Sequence, residues 1–133
     1  MSLVLVDTSA WIAFFRGDPA AIARLDPQLA GGDVGICGPV LAEVLSGAPT
    51  YAEGKRLERL LGALDWLALP LDVWRRAAEA RVALARRGTK AALIDLLIAL
   101  AAVEGDATLL TRDRDFERIG EVVPVRLELF GAS

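Results

Sequence analysis

The longest apolar run in the chain covers residues 91–103 and is interrupted by a single charged side chain, that of Asp95. A uniform run of this length predicts a helix that is buried on most of its faces, because core strands are usually shorter. The run is too short for a membrane span. A carboxylate buried in such a helix costs several kcal/mol unless a partner compensates it, and the run contains no basic residue.

Shorter apolar runs alternate with helical segments along the rest of the chain. The runs that predict strands are residues 3–6, 34–37, 65–69, 107–110 and 121–128, the last as an edge strand that tolerates Pro124. The segments that predict helices are residues 10–15, 20–29, 51–64, 72–87 and 91–103, and one more that opens at Pro39. This alternation predicts an α/β fold, a three-layer α/β/α sandwich on a mostly parallel sheet of about four to five short strands. Because no repeat or linker divides residues 1–133, we expect a single domain.

Isolated acidic residues recur where the predicted strands end. Asp7 follows the first strand, Glu43 lies in the helix after the second, and Asp113 comes soon after the fourth. Ligands of open α/β sheets bind at the carboxyl ends of the strands, so we expect these three carboxylates and Asp95 to converge there around a divalent metal. Other interpretations remain open, since Asp7 and Asp113 could only cap helices and Glu43 could face solvent.

Composition narrows the chemistry that such a site could perform. The chain of 133 residues contains no histidine, which excludes a Ser-His-Asp triad, a histidine general base and any histidine-ligated metal. With Cys37 alone, neither an internal disulfide nor a cysteine-based zinc site can form. The formal net charge of −3 argues against general electrostatic binding of nucleic acid, although a local basic rim could still hold RNA. The N-terminus lacks the basic region of a signal peptide, so a cytoplasmic protein without a membrane segment is expected.

Clustered carboxylates offer only oxygen ligands, which select hard cations and therefore predict Mg²⁺, with Mn²⁺ as the alternative. Such a metal can lower the pKa of a bound water and align it with a phosphodiester, so hydrolysis of RNA or DNA is the leading mechanism. The hydroxyl groups of Thr8, Ser9 and Thr111 would orient the carboxylates or the water.

Five basic residues are candidates for binding such a substrate. Arg86, Arg87 and Lys90 form a basic turn just before the long apolar helix, and Arg112 and Arg114 follow the fourth predicted strand. The basic turn could equally stabilise the C-terminus of the preceding helix, because cations interact favourably with the helix dipole there. The two later arginines could equally be surface salt-bridge partners of the acids beside them.

Four short motifs occur in a set order along the chain. They are VDTSAWI at residues 6–12, LAEVLSG at 41–47, ALIDLLIALAA at 92–102 and LLTRDRDF at 109–116. Together with the length and the strand–helix order, these motifs resemble PIN-domain ribonucleases, in particular the VapC-type toxins of bacterial toxin–antitoxin pairs. The resemblance covers essentially the whole chain.

The resemblance carries specific implications for the site and for partners. It implies that Asp7, Glu43, Asp95 and Asp113 are catalytic acids that bind Mg²⁺, with Asp115 as a less direct fifth acid. It also implies a homodimer, and a VapB-like antitoxin whose C-terminal tail lies across the site. The expected activity is that of a Mg²⁺-dependent endoribonuclease that acts as the toxin of such a pair.

Three aromatic residues of the first helix are candidates for an antitoxin groove. They are Trp11, Phe14 and Phe15, for which packing in the core is the other interpretation.

Three other classes of protein are alternatives for a chain with these acids. A Mg²⁺-dependent phosphotransfer domain of the receiver type would need a paired acid cluster near the first strand and a late lysine, and neither is evident. A haloacid-dehalogenase-like phosphatase would need an acid where Ser9 stands. A non-catalytic partner-binding module would keep the acids only as structural caps.

Overall fold

A computed structural model describes residues 2–131 and shows five parallel strands flanked by helices. The strands are β1 (Val4–Val6), β2 (Val34–Ile36), β3 (Asp65–Trp66), β4 (Thr108–Thr111) and β5 (Arg126–Leu129). Their order in the sheet is β3-β2-β1-β4-β5, and every neighbouring pair is parallel. The predicted α/β fold is confirmed. Because β1 lies at the centre, its carboxyl end is surrounded by those of its neighbours.

Seven helices connect and cover the strands in the described part of the chain. They are α1 (Thr8–Phe15), α2 (Pro19–Ala30), α3 (Gly38–Ser46), α4 (Tyr51–Gly62), α5 (Val73–Arg86), α6 (Leu93–Glu104) and α7 (Asp115–Ile119). Asp18 caps α2 by accepting a hydrogen bond from the Ala21 amide at 3.0 Å. Gly88 follows α5 with φ +81°, the left-handed conformation that ends many helices.

The predicted apolar helix is the best-buried helix of the structure. Seven consecutive residues of α6, from Leu96 to Ala102, are buried. The helix packs against α5, α7, α3 and β4. The buried apolar side chains of α6 therefore belong to the core. Asp95, in the first turn, is the only charged residue of the helix before Glu104.

Several predicted boundaries are wrong, and the backbone explains why. The last strand begins at Arg126, because the amides of Glu121 and Val123 bond back to Arg118 and Ile119 in a turn at the end of α7. Pro124 consequently lies outside the strand.

Two further boundaries shift for local reasons. The third strand is shortened to two residues, since pairing with β2 extends only over Gly35 and Ile36. The long helix starts at Leu93, because Ala92 has extended backbone with ψ 136°. None of the helices between residues 2 and 131 is long and apolar enough to cross a membrane.

Gly35 of β2 provides a test of how tightly the sheet packs. A Cβ added at this residue would lie 3.0 Å from Cγ and Cδ1 of Leu67, a buried side chain that also lies against Gly105. We expect Gly35→Ala to lower the free energy of unfolding by about 1–3 kcal/mol through overpacking, as measured by urea denaturation. In Gly62→Ala the added Cβ has no neighbour within 4 Å at the end of α4, so this control should not be destabilised. Equal stability of both variants would contradict the packing.

Candidate active site

Asp7 lies at the end of β1 and is 3% exposed. Its carboxylate accepts hydrogen bonds from Thr111 Oγ1 at 2.7 Å, Ser9 Oγ at 2.8 Å and the Ala10 amide at 3.0 Å. The last bond caps α1, so the helix-cap interpretation is confirmed. Burial raises the pKa of Asp7 despite these three donors, which act to lower it, and the charge of Asp113 adds to the increase.

The pairing of β1 with β4 brings the second acid to this edge of the sheet. Val6 is in register with Leu110, which places Thr111 beside Asp7. Thr111 Oγ1 donates to Asp7 and accepts a hydrogen bond from the Asp113 amide at 2.9 Å. One hydroxyl therefore links the backbone of the second acid to the carboxylate of the first.

Asp113 and Asp115 follow β4 in a short turn. Asp113 Oδ1 accepts a hydrogen bond from the amide of Asp115 at 2.9 Å, at the start of α7. One oxygen of Asp113 therefore has a local role in this turn, although Arg114 is the N-cap residue of α7 and no side chain caps that helix. Asp113 is half-buried and Asp115 is exposed.

Glu43 reaches the site from α3, the helix that follows β2. Its Oε1 atom accepts a hydrogen bond from Thr8 Oγ1 at 2.6 Å, and the residue is half-buried. The bond joins the first turn of α1 to α3, whose contact also involves apolar residues. Thr8 therefore holds Glu43 toward α1, which favours its packing at a polar site over full exposure to solvent.

Asp95 is half-buried in the first turn of α6, and its pKa is raised to about 6. Burial is the largest cause, and repulsion by Asp113, Glu43, Asp7 and Asp115 follows in that order. No ion pair involves Asp95 in the part of the chain that the structure describes. Four acids from three other regions of the sequence are thus close enough to disfavour its charge.

The chemistry of these donors fits a hard divalent cation. Carboxylate and hydroxyl oxygens are the ligands that Mg²⁺ and Mn²⁺ prefer, and a cation would relieve the mutual repulsion of the acids. Among residues 2–131, no three acids or cysteines are grouped tightly enough to form a ready-made metal site. The donor types and the accumulated negative charge therefore match a hard cation.

The predicted hydroxyl residues all contact the acids. Thr8 binds Glu43, and Thr111 and Ser9 bind Asp7. Ser9 Oγ also accepts a hydrogen bond from the Arg112 amide at 3.2 Å. The hydroxyls therefore orient the carboxylates of the site, in the role that the sequence suggested for them.

The predicted basic residues are used in different ways. Arg87 forms an ion pair with Glu121 at 3.3 Å, and Arg114 with Glu117 at 3.2 Å. Both are ion pairs on the exposed surface. For Arg114, the salt-bridge interpretation is therefore the one that the structure shows.

The other three basic candidates have no carboxylate partner between residues 2 and 131. Arg112 donates to the Gly131 carbonyl oxygen at 2.8 Å and so holds the segment after β5. Arg86 and Lys90 are exposed near the end of α5. Within the basic turn, the side chains of Arg86 and Lys90 therefore have no ion-pair partner among the described residues.

The aromatic residues of α1 divide between core and surface. Trp11 is fully buried, which makes its assignment to a partner groove wrong. Phe14 is partly buried against the core, whereas Phe15 is 37% exposed. All three rings contact one another, with centroids 5.6–5.9 Å apart. Phe15 alone lines a surface cavity, beside Ile12 and Glu43.

Sequence reasoning missed Arg16, at the end of α1. It lines two surface cavities, one with Ser9 and Arg112 and the other with Glu43. The residue gave no signal in the sequence, because it stands nine positions from the nearest motif acid, Asp7, and follows an apolar helix.

Comparisons with known proteins identify the family to which the chain belongs. The structure defines an α/β protein with acidic side chains at the carboxyl edge of a parallel sheet. The family model described as PIN domain matches residues 4–122. The chain belongs to the PIN domain family, which confirms the resemblance seen in its motifs.

Individual relatives extend this result. The chain is 34% identical to VapC ribonuclease Mb1587 of Mycobacterium bovis, over 96% of this chain and 99% of that protein. It superposes on a toxin–antitoxin complex from Klebsiella pneumoniae with a TM-score of 0.64 and 29% identity, over 85% and 89% of the two chains. For VapBC2 from Rickettsia felis bound to a promoter DNA fragment, the TM-score is 0.77 at 22% identity, over 96% and 98%. The last likeness concerns the fold alone.

Thr111 supplies a test of the hydrogen-bond network around Asp7. We expect Thr111→Val to lower the free energy of unfolding by about 1–3 kcal/mol, because a buried carboxylate loses a donor and the Asp113 amide loses its acceptor. Urea denaturation at pH 7 measures this effect. The matched control is Thr108→Val at the other end of β4, whose hydroxyl bonds to no described residue and which should change stability by less than about 0.5 kcal/mol. Similar losses in both variants would contradict the network.

Asp95 supplies a test of the repulsion between the acids. Its folded pKa of about 6 lies above the ordinary value of 3.8, so its charge opposes folding above pH 6, and protonation relieves this cost between pH 6 and pH 4. In EDTA at pH 7, Asp95→Asn should therefore raise the melting temperature by roughly 3 °C, and the gain should vanish near pH 4. Asp26→Asn on the exposed surface of α2 is the control. A lowered melting temperature in Asp95→Asn would show that the carboxylate is stabilised by a partner.

Proposed function

We propose that this protein is a Mg²⁺-dependent endoribonuclease that acts as the toxin of a toxin–antitoxin pair, with Mn²⁺ as a possible substitute. The observation that carries the proposal is the set of acids at the carboxyl edge of the sheet in a chain of the PIN domain family, where Thr111 links Asp7 to Asp113. Burial and the charges of these acids together raise the pKa of Asp95, and no ion pair within residues 2–131 offsets its charge. The ribonuclease name of the M. bovis relative supports RNA as the substrate.

The acids of the site would have different roles in the reaction. Asp7, Glu43, Asp95 and Asp113 would hold the cation, and Asp115 would add negative charge at the rim of the site. When bound, Mg²⁺ would supply Lewis-acid activation of water and would stabilise the leaving oxygen of the phosphodiester.

Hydrogen bonds orient two of the carboxylates that would hold the cation, those of Asp7 and Glu43. The three donors on Asp7 favour its charged form and fix its orientation. Thr8 fixes one oxygen of Glu43 and leaves the other available. The absence of histidine is compatible with this chemistry, since activation of the water requires no side-chain base of that type.

Partners and location follow from the same proposal. A VapB-like antitoxin would cover the acidic edge, and the toxin–antitoxin relative from K. pneumoniae supports such a partner. A homodimer is consistent with the large apolar side chains on the surface, among them Trp66, Leu71 and Trp74. A ribonuclease of this kind would meet its RNA in the cytoplasm.

The proposal is tested with the purified chain, free of antitoxin, and a structured RNA. Cleavage is expected in Mg²⁺ and not in EDTA. Asp7→Asn and Asp95→Asn should each reduce the cleavage rate by roughly 100-fold or more, because each removes a charge from the site. Asp26→Asn on the outer surface of α2 should cleave normally, and gel electrophoresis of end-labelled RNA gives the rates.

Two outcomes would contradict the proposal. Cleavage that persists in EDTA and in both site variants would come from a contaminant or another mechanism. Folded wild-type protein that leaves every RNA intact would instead support a non-catalytic partner-binding module.

A further inference from the structure

The C-terminal turn of α1 carries a cation that is not neutralised by any described residue. Arg16 is exposed and forms the C-cap of α1 through its backbone. Neighbouring arginines at this edge of the sheet have partners: Arg112 donates to the Gly131 carbonyl oxygen, and Arg114 forms a surface ion pair. Between residues 2 and 131, no group accepts a hydrogen bond from the Arg16 guanidinium.

Arg16 separates two grooves that both lead to the acidic site. The first groove has a volume of about 720 Å³ and contains Ser9, whose hydroxyl donates to Asp7. The second has a volume of about 540 Å³ and contains Glu43. A chain-like ligand that enters along one groove and leaves along the other must therefore pass beside Arg16.

The positive charges along this path are those of Arg16 and Arg112. Arg112 and Asp18 lie with Arg16 in the first groove, and the second groove contains Glu43 and Glu53, so the arginines are the cations of a path that is otherwise acidic. The protein has a net charge of −3, so a polyanion needs local positive charge to approach a cluster of carboxylates. A guanidinium without a protein partner presents a planar fork of donors that matches a phosphate group.

We propose that Arg16 binds a backbone phosphate of the substrate RNA as the strand passes over the end of α1 from one groove to the other. This inference rests on the proposed ribonuclease function. Arg16 stands nine residues after Asp7, which places it about 13 Å away along the helix. It therefore contacts a phosphate next to the scissile one, and it contributes to substrate binding rather than to the chemical step.

The test measures binding apart from cleavage. A fluorescently labelled single-stranded RNA of mixed sequence is titrated in EDTA at several salt concentrations, with anisotropy as the signal. We expect Arg16→Ala to weaken binding roughly fivefold and to reduce the slope of log affinity against log salt by about 0.7, the value for one phosphate contact on a single strand. In cleavage assays with Mg²⁺, KM should rise by a similar factor and kcat should stay within about twofold.

Two variants serve as controls. Arg59→Ala removes an exposed arginine from α4 that is likewise without an ion pair among the described residues, and it should leave both the affinity and the salt slope unchanged. Arg16→Lys keeps the charge and should retain the slope. Because Arg16 is exposed, thermal melts should show that all three variants fold normally.

The outcomes separate this inference from the proposed function. Unchanged RNA affinity and salt slope in Arg16→Ala, with metal-dependent cleavage by the wild type, would overturn the role of Arg16 and leave the nuclease function standing. RNA binding that depends on Arg16, without any cleavage, would support the contact and remove the proposed reaction. If Arg16→Ala binds RNA normally but loses a co-purifying antitoxin, Arg16 belongs to a protein interface and the inference is wrong.

Discussion

The structure depends on a carboxylate that is buried at the junction of three elements. Asp7 ends β1, caps α1 and accepts a hydrogen bond from Thr111 of β4. The burial of this group raises its pKa, so the three hydrogen bonds offset the cost of desolvation only in part. The same network continues through Thr111 to the backbone of Asp113. Removing any one of these groups would leave polar atoms buried without partners, so the network holds the carboxyl edge of the sheet as one unit.

Two parts of α6 contribute to the stability of the fold with opposite sign. Its middle is buried among apolar side chains, which favours the folded state, whereas Asp95 in its first turn faces four other acids. Such repulsion is tolerable because the buried stretch of the helix fixes its position regardless of the charge at its end. A destabilised acid on a rigid support is typical of a site that is prepared for a cation.

Cations on the surface are distributed unevenly around this edge. Arg87 and Arg114 are engaged in ion pairs, and Arg112 holds the segment that follows β5. The two ion pairs reduce the positive charge available to a polyanion, whereas the bond of Arg112 to a carbonyl oxygen leaves its charge in place. Arg16 forms neither kind of side-chain contact with the described residues and lies between two grooves, outside every motif of the sequence.

The sequence by itself determined the elements of this protein and the identity of its acids. Alternating apolar runs predicted a parallel α/β sheet, and the uniform run around Asp95 predicted its best-buried helix, because periodicity and length are local properties. The boundaries failed where turn hydrogen bonds or strand pairing decided them, as in the turn before β5 and at the end of β3. The hydrogen bond between Asp7 and Thr111 joins residues 104 positions apart and depends on the register of β1 with β4. Packing likewise decided that Trp11 is buried, whereas Phe15 and Arg16 at the end of the same helix are exposed. A local sequence pattern does not predict this difference, because it depends on contacts with segments that are distant in the sequence.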